Sequence, residues 1–183
     1  MFLKYIIVGI EHVIPYGFDH ILFIMLIYFN KSNLKDSLKQ CTIFTIAHSI
    51  TLIISIVYST TFNSKIIEIF ISLSIFIVAI GNIYFNKLNN YKTILIFGFG
   101  LIHGLGFSKA LTEFGISNSD KTSCLFGFNL GIEIAQIIII AFLFIITHKL
   151  IDKIWYNKNI VYTTTLIISI ISFYWTIDQI IRY

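Results

Sequence analysis

The stretch CLFGFNLGIEIAQIIIIAFLFIITH, Cys124 to His148, decides the fold. It is apolar over more than the roughly 20 residues a helix needs to cross a hydrocarbon core. One ionisable group stands in its interior, Glu133. Such a group costs about 2.5–3.5 kcal/mol on insertion scales, so its presence is rarely incidental. Asn129, Glu133 and Gln136 stand at i, i+4 and i+7, a single polar stripe on one helix face.

Outward from this segment, five further apolar runs cover residues 17–29, 38–58, 66–85, 93–111 and 160–181. The first is short and extendable by what precedes it. The chain therefore reads as an all-α, polytopic membrane helix bundle: six transmembrane helices in one domain, residues 1–183. Composition requires the lipid. Hydrophobic residues make up 57% of the chain and charged ones only 12%, too few to cover a soluble fold. Residues 2–14 form an apolar stretch too short to span. Pro15 and Gly17 end it, so it reads as an interfacial or re-entrant helix. Glu11 and His12 interrupt that stretch and no small-residue cleavage site follows, so it is expected to stay on the mature chain.

Loop charge sets the orientation. Lys31, Lys35 and Lys39 follow the first span, Lys87 and Lys92 the third, and Lys149, Lys153 and Lys158 the fifth. The loops after the second and fourth spans carry Lys65 and Lys121, balanced by Glu68, Glu113 and Asp120. Positive charge alternates as six spans require, which places both termini on the outer side of the cytoplasmic membrane. The net charge of +4 thus reflects topology rather than nucleic-acid binding. No Gly-rich phosphate loop is present, so no nucleotide is expected either. Cys41 and Cys124 are too few and too scattered for a metal or disulfide framework; they fall on opposite sides and read as structural.

Three spans bury one costly group each: His48, His103 and Glu133. No Lys or Arg stands at similar depth. By helical rise, His48 lies roughly 15 Å from the outer end of its span, and the other two at similar depth, near the midplane. His12, Asp19 and His20 cluster where the chain enters the membrane and are expected at the outer surface. The pattern predicts a funnel, with an outer cluster above a midplane site where His48, His103 and Glu133 converge within about 5–6 Å. Imidazole and carboxylate donors suit borderline divalent ions, and the absence of thiolate motifs disfavours Cu(I). Glu11, Ser49, Asn129 and Gln136 are the expected supporting residues. Each element also has a plain packing reading, since Ser, Thr and His often hydrogen-bond between membrane helices. Gly100, Gly104 and Gly106 allow close helix approach around His103, and packing alone explains them.

Four stretches carry a resemblance. Gly9-Ile-Glu-His12 with Gly17-Phe-Asp19-His20, Phe44-Thr-Ile-Ala-His48-Ser-Ile-Thr51, His103-Gly-Leu-Gly-Phe107, and Phe128-Asn-Leu-Gly-Ile-Glu133 together resemble the HupE/UreJ family over nearly the whole chain. The likeness is to a divergent branch: His103-Gly104 and Glu133 lie on separate spans, and Gly81-Asn82 stands where the family often has an acid. The resemblance implies nickel or cobalt uptake, often alongside hydrogenase or urease systems, and so a contact with metalloenzyme maturation proteins. A Ni²⁺ or Co²⁺ permease is the expectation. An intramembrane metal-dependent hydrolase using Zn²⁺ with Glu133 as base is one alternative, although the chain has no Ser nucleophile elbow and no His-Glu-x-x-His. A scaffold or accessory subunit is the other.

Overall fold

The computed structural model describes residues 2–30, 34–58, 63–84, 89–113 and 121–182. Lys31, Phe85, Lys87 and Asp120, used above for span ends and loop charge, lie outside them. Among the described residues the fold is all helical. Seven helices follow in order: α1 (Phe2–Val13), α2 (Phe18–Asn30), α3 (Leu34–Tyr58), α4 (Ser64–Tyr84), α5 (Asn89–Glu113), α6 (Lys121–Thr147) and α7 (Thr163–Ile181). A π-helical turn, Asn157–Tyr162, leads into α7. Four helices are apolar and long enough to cross a membrane, or five if α1 and α2 are counted as one broken span, and α5 adds a shorter apolar stretch, Lys92–Gly106. This is a helical membrane bundle. Its outer surface agrees: Ile138, Phe142 and Ile145 of α6 and Ile170 and Phe173 of α7 are exposed, as lipid-facing side chains would be.

The decisive departure from a straight reading is at the start. α1 and α2 meet at a 73° bend. Pro15 cannot continue the α1 hydrogen-bond ladder. Gly17 then brings the chain so close to α1 that a Cβ there would collide with the His12 carbonyl. The two short helices nonetheless follow α6 in one sense. Gly127 packs beside Phe2 and Tyr5, Gly131 beside Ile6 and Gly9, and Thr147 beside Tyr28. From Gly127 to Thr147 a helix rises about 30 Å, the thickness of a hydrocarbon core. α1 and α2 together thus follow α6 over the length of a span, and at their bend Val13, Gly17 and His20 are buried while Pro15, Tyr16 and Phe18 are exposed.

The other contacts order the remaining helices. α3 and α5 lie against each other in parallel, joined at small residues: a Cβ on Gly100 would lie 2.6 Å from the Phe44 carbonyl oxygen and 2.7 Å from the Ala47 Cβ. Gly104 is pressed likewise against the His48 carbonyl and the Thr51 hydroxyl. Backbones approach this closely only where side chains are minimal. α4 and α7 run antiparallel, tied by the Thr176 hydroxyl donating to Ser72 Oγ at 3.0 Å and by the rings of Phe76 and Phe173. The core between these pairs is filled by Phe23, Leu26, Phe44, Phe128, Ile132 and Ile140, all essentially inaccessible.

Candidate metal centre

The break between α1 and α2 places three of the predicted residues. His12 ends α1, and Asp19 and His20 begin α2. His48 comes from the middle of α3 and His103 from the middle of α5. The glycine-mediated contact of α3 with α5 brings the last two into the same region.

These side chains form one group. His20 is at its centre: its ring centroid lies 4.7 Å from that of His12, 5.9 Å from His48 and 5.2 Å from His103. His12 and His48 are 6.0 Å apart. Asp19 Oδ1 accepts a hydrogen bond from His20 Nδ1 at 3.0 Å, and Asp19 Oδ2 lies 3.9 Å from His103 Nδ1. One ligand atom from each of Asp19, His20 and His103 lies within 4.8 Å of the others. Among the described residues no Lys or Arg comes within ion-pairing distance of Asp19.

The walls are aromatic. Phe44 packs against His20, His48 and His103, Phe23 against His103, and Phe128 against His12 and His48. Such walls exclude water and strengthen electrostatic interactions inside them. Against that background the orphaned nitrogens matter. His48 is fully buried and neither ring nitrogen has a hydrogen-bond partner; His20 Nε2 and His103 Nδ1 are in the same condition. Leaving a buried polar group unsatisfied costs about 1–3 kcal/mol. Several such atoms around one carboxylate are the donor set a divalent cation would satisfy.

Two expectations need correction. The funnel of an outer and a midplane cluster does not exist: Asp19 and His20 sit beside His48 and His103. The two groups were counted apart because the count began a straight helix at Gly17, whereas α1 packs along the same neighbour, α6, as α2 does. Glu133 also does not converge with the histidines. Its Oε1 accepts the Thr42 hydroxyl at 2.6 Å. Thr42 is six residues before His48, about 9 Å along α3.

The stripe Asn129, Glu133 and Gln136 does face one neighbour, but that neighbour is the polar side of α3. Ser49 donates to Asn129 Oδ1 at 2.7 Å and Thr45 to Gln136 Oε1 at 3.0 Å. These bonds join α3 to α6 next to the centre rather than in it. Glu11 is exposed. The side chain of Phe107 lies outside the described residues.

One contact was not anticipated: Ser74 of α4 lies 3.3 Å from His103 Nε2. A serine in the apolar run 66–85 gave no sign that distinguished it from Ser72.

At the opposite end of α2 a cavity of about 600 Å³ is lined by Tyr28, Asn30, Asn82, Tyr156, Asn157 and Thr165 among others. Three of its lining residues, Tyr28, Asn30 and Asn82, are held by side-chain hydrogen bonds. Tyr28 and Thr147 share one at 2.5 Å. Asn30 Nδ2 donates to Asn82 Oδ1, Asn82 Nδ2 to the Leu26 carbonyl at 2.9 Å, and Lys92 Nζ to Asn30 Oδ1 at 3.0 Å.

The chain matches the family model described as HupE / UreJ protein over residues 1–179, and it belongs to that family. No curated protein and no solved structure matches it.

Proposed function

We propose that this member of the HupE/UreJ family is a permease for a divalent transition-metal ion, Ni²⁺ or Co²⁺, in the cytoplasmic membrane. The observation that carries the reading is the set of buried, unpartnered imidazole nitrogens of His20, His48 and His103 gathered around Asp19 at the break of a discontinuous helix. The metal is cargo, held by Asp19, His20 and His103 with His12 and His48 adjoining. Discontinuous helices inside a bundle are where transporters place ion sites, because the broken ends free polar groups at depth.

With the broken pair α1–α2 as one crossing and α5 as another, the proposed topology has six crossings, and loop charge supports termini on the outer side. The ion then enters along α1, pauses at the histidines and leaves through the cavity at the far end of α2. That cavity offers amide and hydroxyl groups rather than carboxylates, so it holds a cation weakly, as release requires. An inside-negative potential of about 100 mV supplies roughly 4.6 kcal/mol to an entering divalent ion.

The test is uptake of radioactive Ni²⁺ or Co²⁺ into proteoliposomes of the purified protein. Saturable uptake that His20→Ala and His103→Ala abolish is the expected result. Metal that binds without crossing overturns the permease; no bound metal at all leaves only packing.

A further inference from the structure

We infer that Ser74 is a positioning residue that fixes which nitrogen of His103 meets the ion. The inference rests on the metal-carrier reading above and adds to it the ligating atom, Nδ1, and the group that presents it.

The argument is a count of protons. Ser74 has one hydroxyl proton, and it goes to the Ile71 carbonyl, one helical turn back, at 2.6 Å. The longer contact, 3.3 Å to His103 Nε2, then has the serine oxygen as acceptor. His103 Nε2 therefore carries the hydrogen. A neutral imidazole has one N–H, so Nδ1 bears the lone pair. That atom is buried and has no hydrogen-bond partner.

What Nδ1 faces completes the argument. Asp19 Oδ2 stands 3.9 Å away, too far for a hydrogen bond. Two donors at about 2.0–2.2 Å from a shared ion are separated by up to about 4.2 Å. The gap therefore suits an ion between them, with Nδ1 unprotonated. Ligating histidines characteristically donate their other N–H to an orienting acceptor, which fixes the ring and the tautomer. Ser74 fills that role from α4, a helix that carries none of the predicted ligands.

The test separates this inference from the transport reading. In ¹⁵N-imidazole-labelled protein in lipid bilayers without metal, solid-state NMR should show His103 as the Nε2–H tautomer, its signal identified by its loss in His103→Gln. Ser74→Ala should mix the two tautomers and weaken Co²⁺ binding, read by calorimetry, by about 10–100-fold. Ser74→Thr, which keeps the hydroxyl, should restore affinity to within about threefold. A wild-type His103 protonated on Nδ1 overturns the inference, with no need for any variant to fold. So does a Ser74→Ala protein with unchanged tautomer and unchanged Co²⁺ affinity. A wild-type protein that binds no Co²⁺ refutes the carrier reading instead, while the tautomer signal still decides what Ser74 does.

Discussion

Replacing Gly100 by alanine perturbs the centre without touching a ligand. The new Cβ lies 2.6 Å from the Phe44 carbonyl oxygen and 2.7 Å from the Ala47 Cβ. Both are backbone or backbone-fixed, so neither swings aside. Ordinary contact begins at 3.4 Å, so the α3–α5 seam must open by about 0.8 Å at this point. His103 is three residues along α5 from the new methyl, and His48 directly follows Ala47 on α3. The displacement therefore passes into both histidines. A metal site needs its donors held within about 0.5 Å. The expected stability loss from overpacking is about 1–3 kcal/mol, and the expected loss of Ni²⁺ or Co²⁺ affinity is about 10–100-fold, similar to loss of an outer-shell partner.

The control lies on the same helix. Gly98 has open space around its would-be Cβ, so Gly98→Ala should leave metal affinity unchanged and raise stability by up to about 1 kcal/mol. Calorimetric metal binding and thermal unfolding in detergent measure the pair. Equal affinities for the two variants would refute the idea that the α3–α5 seam sets the geometry of the centre.

Three other outcomes follow from the structure. Glu133→Gln keeps an oxygen for the Thr42 hydroxyl and lies along α3 from the histidines, so metal affinity should change by less than about twofold; a loss comparable to His20→Ala would return Glu133 to the centre. Thr147→Val strands the hydroxyl of the buried Tyr28, which lines the far cavity, and should cost about 1–3 kcal/mol in thermal unfolding, with no loss of metal affinity. In proteoliposomes, an inside-negative potassium diffusion potential should raise the initial rate of metal uptake, and a rate indifferent to potential would exclude charge-driven entry.

Much of this molecule was legible from residue types, less from their positions. The apolar runs located the long helices because lipid allows few other sequences. His48 and His103 stood out because an imidazole in such a run has an energetic cost that needs a reason. The i, i+4, i+7 stripe of α6 was read correctly as one face, but periodicity says nothing about which helix that face meets. It meets Thr42, Thr45 and Ser49 rather than the histidines. Asp19 and His20 were read as a group apart from His48 and His103, because Pro15 and Gly17 marked the end of an interfacial or re-entrant helix but not the 73° bend that turns His12, Asp19 and His20 toward α3 and α5. Ser74 was invisible, since a serine's role depends on the groups across from it, and those come from α5.

X-ray absorption on the cobalt-loaded protein examines the centre most directly. One Co²⁺ per chain, with nitrogen and oxygen donors at about 2.0–2.2 Å and the outer scattering of at least two imidazoles, is the predicted spectrum. That imidazole signal should fall in His20→Ala and in His103→Ala. A bound ion with no imidazole scattering, or a protein that retains no cobalt, would contradict the assignment of the α1–α2 break as a metal centre.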